Sequence, residues 1–230
     1  EVGLEKLGEM YRWGRGVEQD DASALKWYLK AASLGSGSAQ YSLGCIYEDG
    51  SGVQEDDATA FSWYLKAAEQ GLSEAQYAVG CKYRGGNGVE KDTTQALEWY
   101  LKAAEQDHSM AMFTVGWMHE NAEGCERNSK AALYWYTKAA ESGSAHAQLM
   151  LGFIYENGLG IDRDPEQAHK WFSEEAEQPE AYAWSIIMRY AEEGNAKAQF
   201  ILGCLYTQGR PGLETDSSLA HQWLQKSADQ

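Results

Sequence analysis

Residues 39–71 contain Ala-Gln-Tyr-Ser-Leu-Gly-Cys-Ile-Tyr (39–47), Gly-Ser-Gly-Val (50–53) and Ala-Phe-Ser-Trp-Tyr-Leu-Lys-Ala-Ala-Glu-Gln-Gly (60–71). In the first segment Ala39, Leu43, Ile46 and Tyr47 fall on one helical face, and in the third Ala60, Trp63, Tyr64, Ala67 and Ala68 do the same. That spacing is the mark of amphipathic helices. The stretch therefore predicts a helix A, a glycine turn and a helix B, with glycine free to take positive φ in the turn.

The pattern recurs along the whole chain. Trp27, Trp63, Trp99, Trp135 and Trp171 stand thirty-six residues apart, and Trp223 follows after fifty-two. A fixed period of this size means a repeat array, in which each unit buries its apolar face against its neighbours. Gly14-Arg15-Gly16-Val17 and Gly86-Asn87-Gly88-Val89 repeat the turn, and Gly35, Gly71 and Gly143 close helix B. Asp20, Asp56, Asp92, Asn128, Asp164 and Asp216 stand in register as N-caps of helix B, each worth about 1 kcal/mol. Asp92 with Gln95 is read as a capping box, and Asp164-Pro165 puts proline at a first helical position. The register tryptophans are expected to be the scaffold, each costing about 3 to 5 kcal/mol to truncate.

Ala-Gln-x-x-Leu-Gly-x-x-Tyr, then Gly-x-Gly-Val, then Ala-x-x-Trp-Tyr-x-x-Ala-Ala resembles the Sel-one-like repeat (SLR), a thirty-six-residue relative of the tetratricopeptide repeat. The resemblance covers nearly the whole chain. It implies an all-α fold, a right-handed α-α superhelix (TPR-like/SLR solenoid) of six helix pairs in a single solenoid over 1–230, and a role in binding proteins. The units are read as 1–36, 37–72, 73–108, 109–144, 145–180 and 195–230. Gly3-Leu4 aligns with Ala39-Gln40, so the first unit is expected to lack its start. Residues 179–194, with Pro179 at their head and Trp184, Ile186, Ile187 and Met188 among them, are expected to form one inserted helix, either packed inside the array or serving as a docking or dimer surface.

The formal net charge of −16 disfavours nucleic acid and anionic membrane surfaces. No apolar run approaches the roughly 20 residues that span a bilayer. Cys45, Cys81 and Cys204 share one register position, so they are expected to stand about 8 to 10 Å apart in neighbouring copies, beyond disulfide reach. Cysteine-rich secreted members of the family pair two cysteines within a repeat, and this chain departs from them. Free thiols favour a reducing compartment such as the cytoplasm, while the clipped first unit leaves secretion or a periplasmic location open.

The chemical motifs are weak. Gly-x-Gly follows a helix and lacks the third glycine of a phosphate loop. Ser23-Ala24-Leu25-Lys26 matches Ser-x-x-Lys without its accompanying elements. His119, Glu120, Glu123 and Cys125 in the fourth unit are the nearest thing to a zinc-ligand set. A hydrolase built on Ser23 and Lys26, or a metal enzyme built on the His119 loop, is the rival class. The expectation is no catalytic residue, no cofactor and no metal.

Tetratricopeptide geometry, if it carries over, places three positions of helix A on the inner face. The first row reads Glu5, Tyr41, Tyr77, Phe113, Leu149 and Phe200, expected to be half-buried between A helices. The second reads Glu9, Cys45, Cys81, Trp117, Phe153 and Cys204. The third reads Arg12, Glu48, Arg84, Glu120, Glu156 and Thr207. An apolar stripe at exposed positions marks an interface, and buried aromatics dominate interface energies, so Trp117 and Phe153 are the expected hot spots. The partner-binding candidates are Tyr41, Cys45, Tyr77, Cys81, Arg84, Phe113, Trp117, Glu120, Leu149, Phe153, Glu156 and Phe200. The function read from the sequence is a non-enzymatic scaffold or adaptor that takes a protein or peptide segment with apolar anchors and basic flanks. A narrower version is a bacterial virulence factor or effector-neutralising immunity protein using the same surface.

Overall fold

A computed structural model describes residues 2–176, 188, 191–192, 194, 196–208 and 214–229. The expected helix of 179–194 lies outside the described residues, except for Met188, Ala191, Glu192 and Gly194. Twelve helices and no strand are found among the described residues. They are α1 (Val2–Trp13), α2 (Asp21–Ser33), α3 (Gly37–Asp49), α4 (Asp57–Glu69), α5 (Ser73–Gly85), α6 (Thr93–Ala104), α7 (Ser109–Asn121), α8 (Ser129–Glu141), α9 (Ala145–Asn157), α10 (Pro165–Ala176), α11 (Ala196–Gln208) and α12 (Ser217–Ala228).

The chain divides into two compact units, Glu1–Lys138 and Ala139–Gln230. In the first, α1 packs on α2, α3 on α4 and α5 on α6, while α2 packs on α3, α4 on α5 and α6 on α7. In the second, α9 packs on α10 and α11 on α12.

Each of the first four hairpins closes on a glycine of helix A and an aromatic ring of helix B, whereas in the last Gly203 faces Leu224. Tyr28, Tyr64, Tyr100 and Tyr136 are buried, and their rings lie over Gly8, Gly44, Gly80 and Gly116. A Cβ added at Gly80 would stand 2.6 Å from Tyr100 Cε1. This glycine thus makes room for a ring, and the tyrosine after each of the first four register tryptophans is the core residue. This corrects the tryptophan expectation in the first unit. Trp27, Trp63, Trp99 and Trp135 are only half-buried, and Trp63 and Trp99 carry Lys66 and Lys102 ammonium groups 4.0 and 3.7 Å from their ring centroids. Trp171 and Trp223 in the second unit are buried.

All six expected N-caps form. Asp20, Asp56, Asp92, Asn128, Asp164 and Asp216 each accept from backbone N–H groups of the first turn of helix B. The reciprocal half of the Asp92–Gln95 box does not form. The Asp92 N–H donates instead to the Tyr83 carbonyl, 2.9 Å away, and Gln95 Nε2 turns to Glu98. The same backbone bond runs from every cap residue to the end of its own helix A, at Tyr11, Tyr47, Tyr83, His119, Tyr155 and Tyr206. It leaves a side-chain box nothing to satisfy.

The second glycine of the turns after α3 and α5 does more than bend the chain. Gly52 and Gly88 have φ of +72° and +74°, and a Cβ on either would run into Asp21 or into the backbone of Asp57 in the hairpin before. The buried Gln76 donates to the Ala68 carbonyl, and Gln148 to Ala140, tying a helix A to the end of the preceding helix B. Where Ile46, Met118 and Ile154 are apolar core residues, α5 places Lys82, 5% exposed, with Nζ 2.7 Å from Glu48 and 2.5 Å from Asp57. Burial works against its charge, but the two carboxylates outweigh that and hold the ammonium pKa above its ordinary value. A core lysine therefore links three helices.

The fourth hairpin has one strained position. Ala122 caps α7 at φ +56°, where Gly50, Gly86 and Gly158 cap α3, α5 and α9. A left-handed alanine costs about 1 to 2 kcal/mol, and glycine gives back about 0.4 to 1 kcal/mol through unfolded-chain entropy. Ala122→Gly is expected to raise stability by about 0.5 to 1 kcal/mol, read as a higher urea midpoint at unchanged slope.

Candidate functional site

Of the expected positions in the first unit, Tyr41, Cys45, Tyr77, Cys81, Arg84 and Trp117 are at least partly exposed, whereas Phe113 and Glu120 are buried. Tyr41 and Tyr77 are half-buried and rest on the core tyrosines, with ring centroids 5.5 Å from Tyr64 and 5.4 Å from Tyr100. That is the half-buried role expected of this row. Burial first, and then Cys45, push the Tyr41 phenol up to about 12, so it stays protonated across the physiological range. Phe113, in the same row, is 2% exposed and packs on Tyr136.

The second row differs along its length. Cys45 is half-exposed and Cys81 exposed, and each thiol accepts from the hydroxyl of a core tyrosine, Tyr64 at 3.4 Å and Tyr100 at 3.3 Å. All four cysteines are free thiols. Trp117 is half-exposed, and the Arg84 guanidinium of α5 stacks 4.4 Å from its ring centroid. Arg84 Nε also donates to Glu123 Oε1 at 3.0 Å, both groups being about four-fifths buried. A carboxylate in the loop after α7 thus anchors the guanidinium that stacks on the tryptophan. Charge-assisted hydrogen bonding and stacking together hold both side chains in place.

Other expected positions are core. Glu120 is 6% exposed and accepts from Tyr136 at 3.1 Å, which gives a buried carboxylate its donor. In the second unit Leu149 and Phe153 are 1% and 2% exposed. The exposure expected of Phe153 is corrected: its ring sits in the interior of the unit, where a partner cannot reach it. Glu156 is half-buried and pairs with Arg163 at 2.5 Å, and Phe200 is half-buried.

The rival chemistry finds its residues engaged in helix architecture. Ser23 Oγ donates to Asp20 Oδ2 at 2.6 Å as part of the α2 cap, and Lys26 lies 5.9 Å from the Trp27 ring centroid. In the fourth hairpin Cys125 Sγ stands 3.4 Å from His119 Nδ1, but Glu120 turns to Tyr136 and Glu123 to Arg84. Among the described residues no three metal-ligating side chains converge. No helix among them is long and apolar enough to cross a membrane.

Sequence reasoning missed the caps of helix A. Ser36 and Ser144 accept from Ala39 and Ala147 N–H, and His108 Nδ1 accepts from Ala111 N–H at 3.2 Å. A serine three residues before the alanine of Ala-Gln was a signal for the first two. A histidine in that role has no sequence signature.

The Sel1 repeat profile matches residues 2–36, 37–72, 73–108, 109–144, 145–179 and 196–230. A Sel1 repeat protein of Oxalobacter formigenes is similar in structure at 33% identity and a TM-score of 0.74, over 99% of this chain and 87% of that one. A protective antigen present in uropathogenic Escherichia coli strains, displaying an SLR fold, is similar at 32% identity with a TM-score of 0.74, over 99% of this chain and 46% of that one. The chain thus spans about half the length of the E. coli antigen. The immunity protein PA5088 of Pseudomonas aeruginosa shares the fold at 16% identity and a TM-score of 0.52, over 99% of this chain and 80% of that one. No curated protein matches the chain.

Proposed function

The chain belongs to the Sel1 repeat family, and from that premise we propose that it is a protein-binding scaffold whose helix A face in the first unit receives a segment of a partner. Sel1 repeat proteins commonly mediate protein–protein interactions. The observation that carries the reading is the Arg84–Trp117–Glu123 cluster. A large aromatic side chain, half-exposed and held in one orientation by a stacked, ion-paired guanidinium, is the kind of group on which interface energy concentrates. Tyr41, Cys45, Tyr77 and Cys81 extend the same face, whereas Phe113 and Glu120 support it from the core. The net charge of −16 selects a partner with basic flanks around its apolar anchor. Neutralisation of a basic effector is a narrower reading that draws on the same charge.

Partner capture on the immobilised chain, compared between the native protein and Trp117→Ala, tests the reading. A protein recovered by the native chain should bind the variant about 30-fold more weakly, the loss of a 2 kcal/mol hot spot. Its affinity should also fall with rising salt. Equal affinity for both chains would remove this face from consideration.

A further inference from the structure

Among the described residues three helix A segments have a side-chain cap, and they differ in one respect. Ser36 caps α3 and Ser144 caps α9 with hydroxyls, whereas α7 is capped by the imidazole of His108. A hydroxyl keeps its acceptor at every physiological pH. An imidazole nitrogen loses its lone pair when it takes a proton.

His108 occupies the junction between α6 and α7. Its ring is half-buried and stacks on Tyr77 of α5 with centroids 4.9 Å apart and an interplanar angle of 19°. Its Nδ1 accepts the Ala111 N–H, and its carbonyl accepts the N–H of Met112. The preceding residue, Asp107, has φ +60° where Gly35, Gly71 and Gly143 close other B helices. One side chain therefore holds the start of α7, and through Tyr77 it also touches the helix of the preceding hairpin.

We propose that His108 makes the junction of the third and fourth hairpins an acid-sensitive joint, in which protonation of Nδ1 uncaps α7 and loosens its first turn. Three influences oppose the charged ring: burial, the cap bond that needs the lone pair, and the positive end of the α7 dipole. Three favour it. Glu74 of α5 attracts the imidazolium, the ring's hydrogen bond to its own backbone does so too, and the face of Tyr77 is attractive to a cation. Asp107 precedes the ring in sequence and Glu105 caps α6, while the first turn of α7 carries no acidic group. Burial prevails over Glu74 and holds the imidazole below its ordinary value. The unfolded chain then takes up the proton first. The stability that this cap contributes is complete above about pH 6.5, the unfolded value, and is lost as pH falls through the lower folded pKa.

The helix affected is the one that carries Trp117, so the joint would tie the binding face proposed above to pH, and only that consequence rests on the binding proposal. Hydrogen exchange of the full chain reads the joint itself. Between pH 7 and pH 5, protection factors in the first turn of α7, corrected for intrinsic exchange, should fall about tenfold for each pH unit by which the folded pKa is depressed. In His108→Ser, which installs the cap of α3 and α9, they should stay within a factor of about two over the same range. An equal fall in both chains, or no fall in the native chain, would overturn the proposal. If His108→Ser does not fold, the imidazole titration of the native chain decides: a His108 midpoint below 6.5 supports the joint, and one at or above 6.5 refutes it.

Discussion

Tyr100→Ala is expected to destabilise the first unit by about 3 to 5 kcal/mol, the usual cost of emptying a buried aromatic site, while Trp99→Ala next to it should cost roughly half as much. The two residues are adjacent and differ in which way helix B turns them. Tyr100 is 1% exposed, its ring lies over Gly80, its hydroxyl donates to Cys81, and Tyr77 packs against it. Gly80 has no side chain with which to fill the space a truncation would leave. Trp99 packs on the cluster around Ala60, Val79 and Tyr64 with one face and is roofed by the Lys102 ammonium on the other. Part of its area is solvated in the native state, so less transfer free energy is lost. Urea denaturation of both variants, compared at a common slope, makes the test. A larger loss for Trp99→Ala would restore the tryptophan to the scaffold role and remove the glycine–tyrosine packing as the organising contact.

That inversion shows how far the sequence could be read. Period, helix order, turn glycines and all six helix B caps were legible because each is written by residues close in sequence, in copies that check one another. Which of two adjacent aromatics faces the core depends on the roll of helix B, and that roll is set by Gly80 and its counterparts across the hairpin. Periodicity marks both residues and cannot rank them. Phe153 failed as an exposed anchor for a related reason. A register rule borrowed from another repeat treats every copy alike, yet the second row holds an exposed Cys81, a half-exposed Trp117 and a buried Phe153. Lys82 escaped notice because its partners, Glu48 and Asp57, lie in the hairpin before and look like ordinary surface acids in the sequence.

Several cations of the first unit are held in ion pairs with its abundant carboxylates. Arg12 pairs with Asp49 at 3.5 Å, Lys82 with Glu48 and Asp57, and Arg84 with Glu123, so these three bases of the first unit act within the scaffold. A basic partner segment on the proposed face would meet an Arg84 already paired with Glu123. Steering by the chain's net negative charge raises the encounter rate more than the final affinity. On the binding reading proposed above, the apolar anchor at Trp117 would set how long the complex lasts.

Gly88→Ala should cost about 2 to 4 kcal/mol, and two separate causes add to give that figure. The backbone cause is φ of +74°, a left-handed conformation that an L side chain adopts at about 1 to 2 kcal/mol. The packing cause is the Asp57 carbonyl and the Ala58 N–H, which occupy the place a Cβ would take. Those atoms are main chain in the first turn of α4, held by the Asp56 cap and by Lys82 on Asp57, and they cannot swing aside as a side-chain end would. Overpacking of such a contact costs about 1 to 3 kcal/mol, and the lower unfolded-state entropy of alanine returns less than about 1 kcal/mol. Gly71→Ala separates the two causes. Its φ of +92° imposes similar backbone strain, but nothing lies within 4 Å of its added Cβ. Measured side by side in urea, Gly88→Ala should therefore be the more damaging by about 1 to 3 kcal/mol, the packing share alone. Equal losses would mean that the turn does not nest on the preceding hairpin, and that the second glycine is kept for its φ and for nothing else.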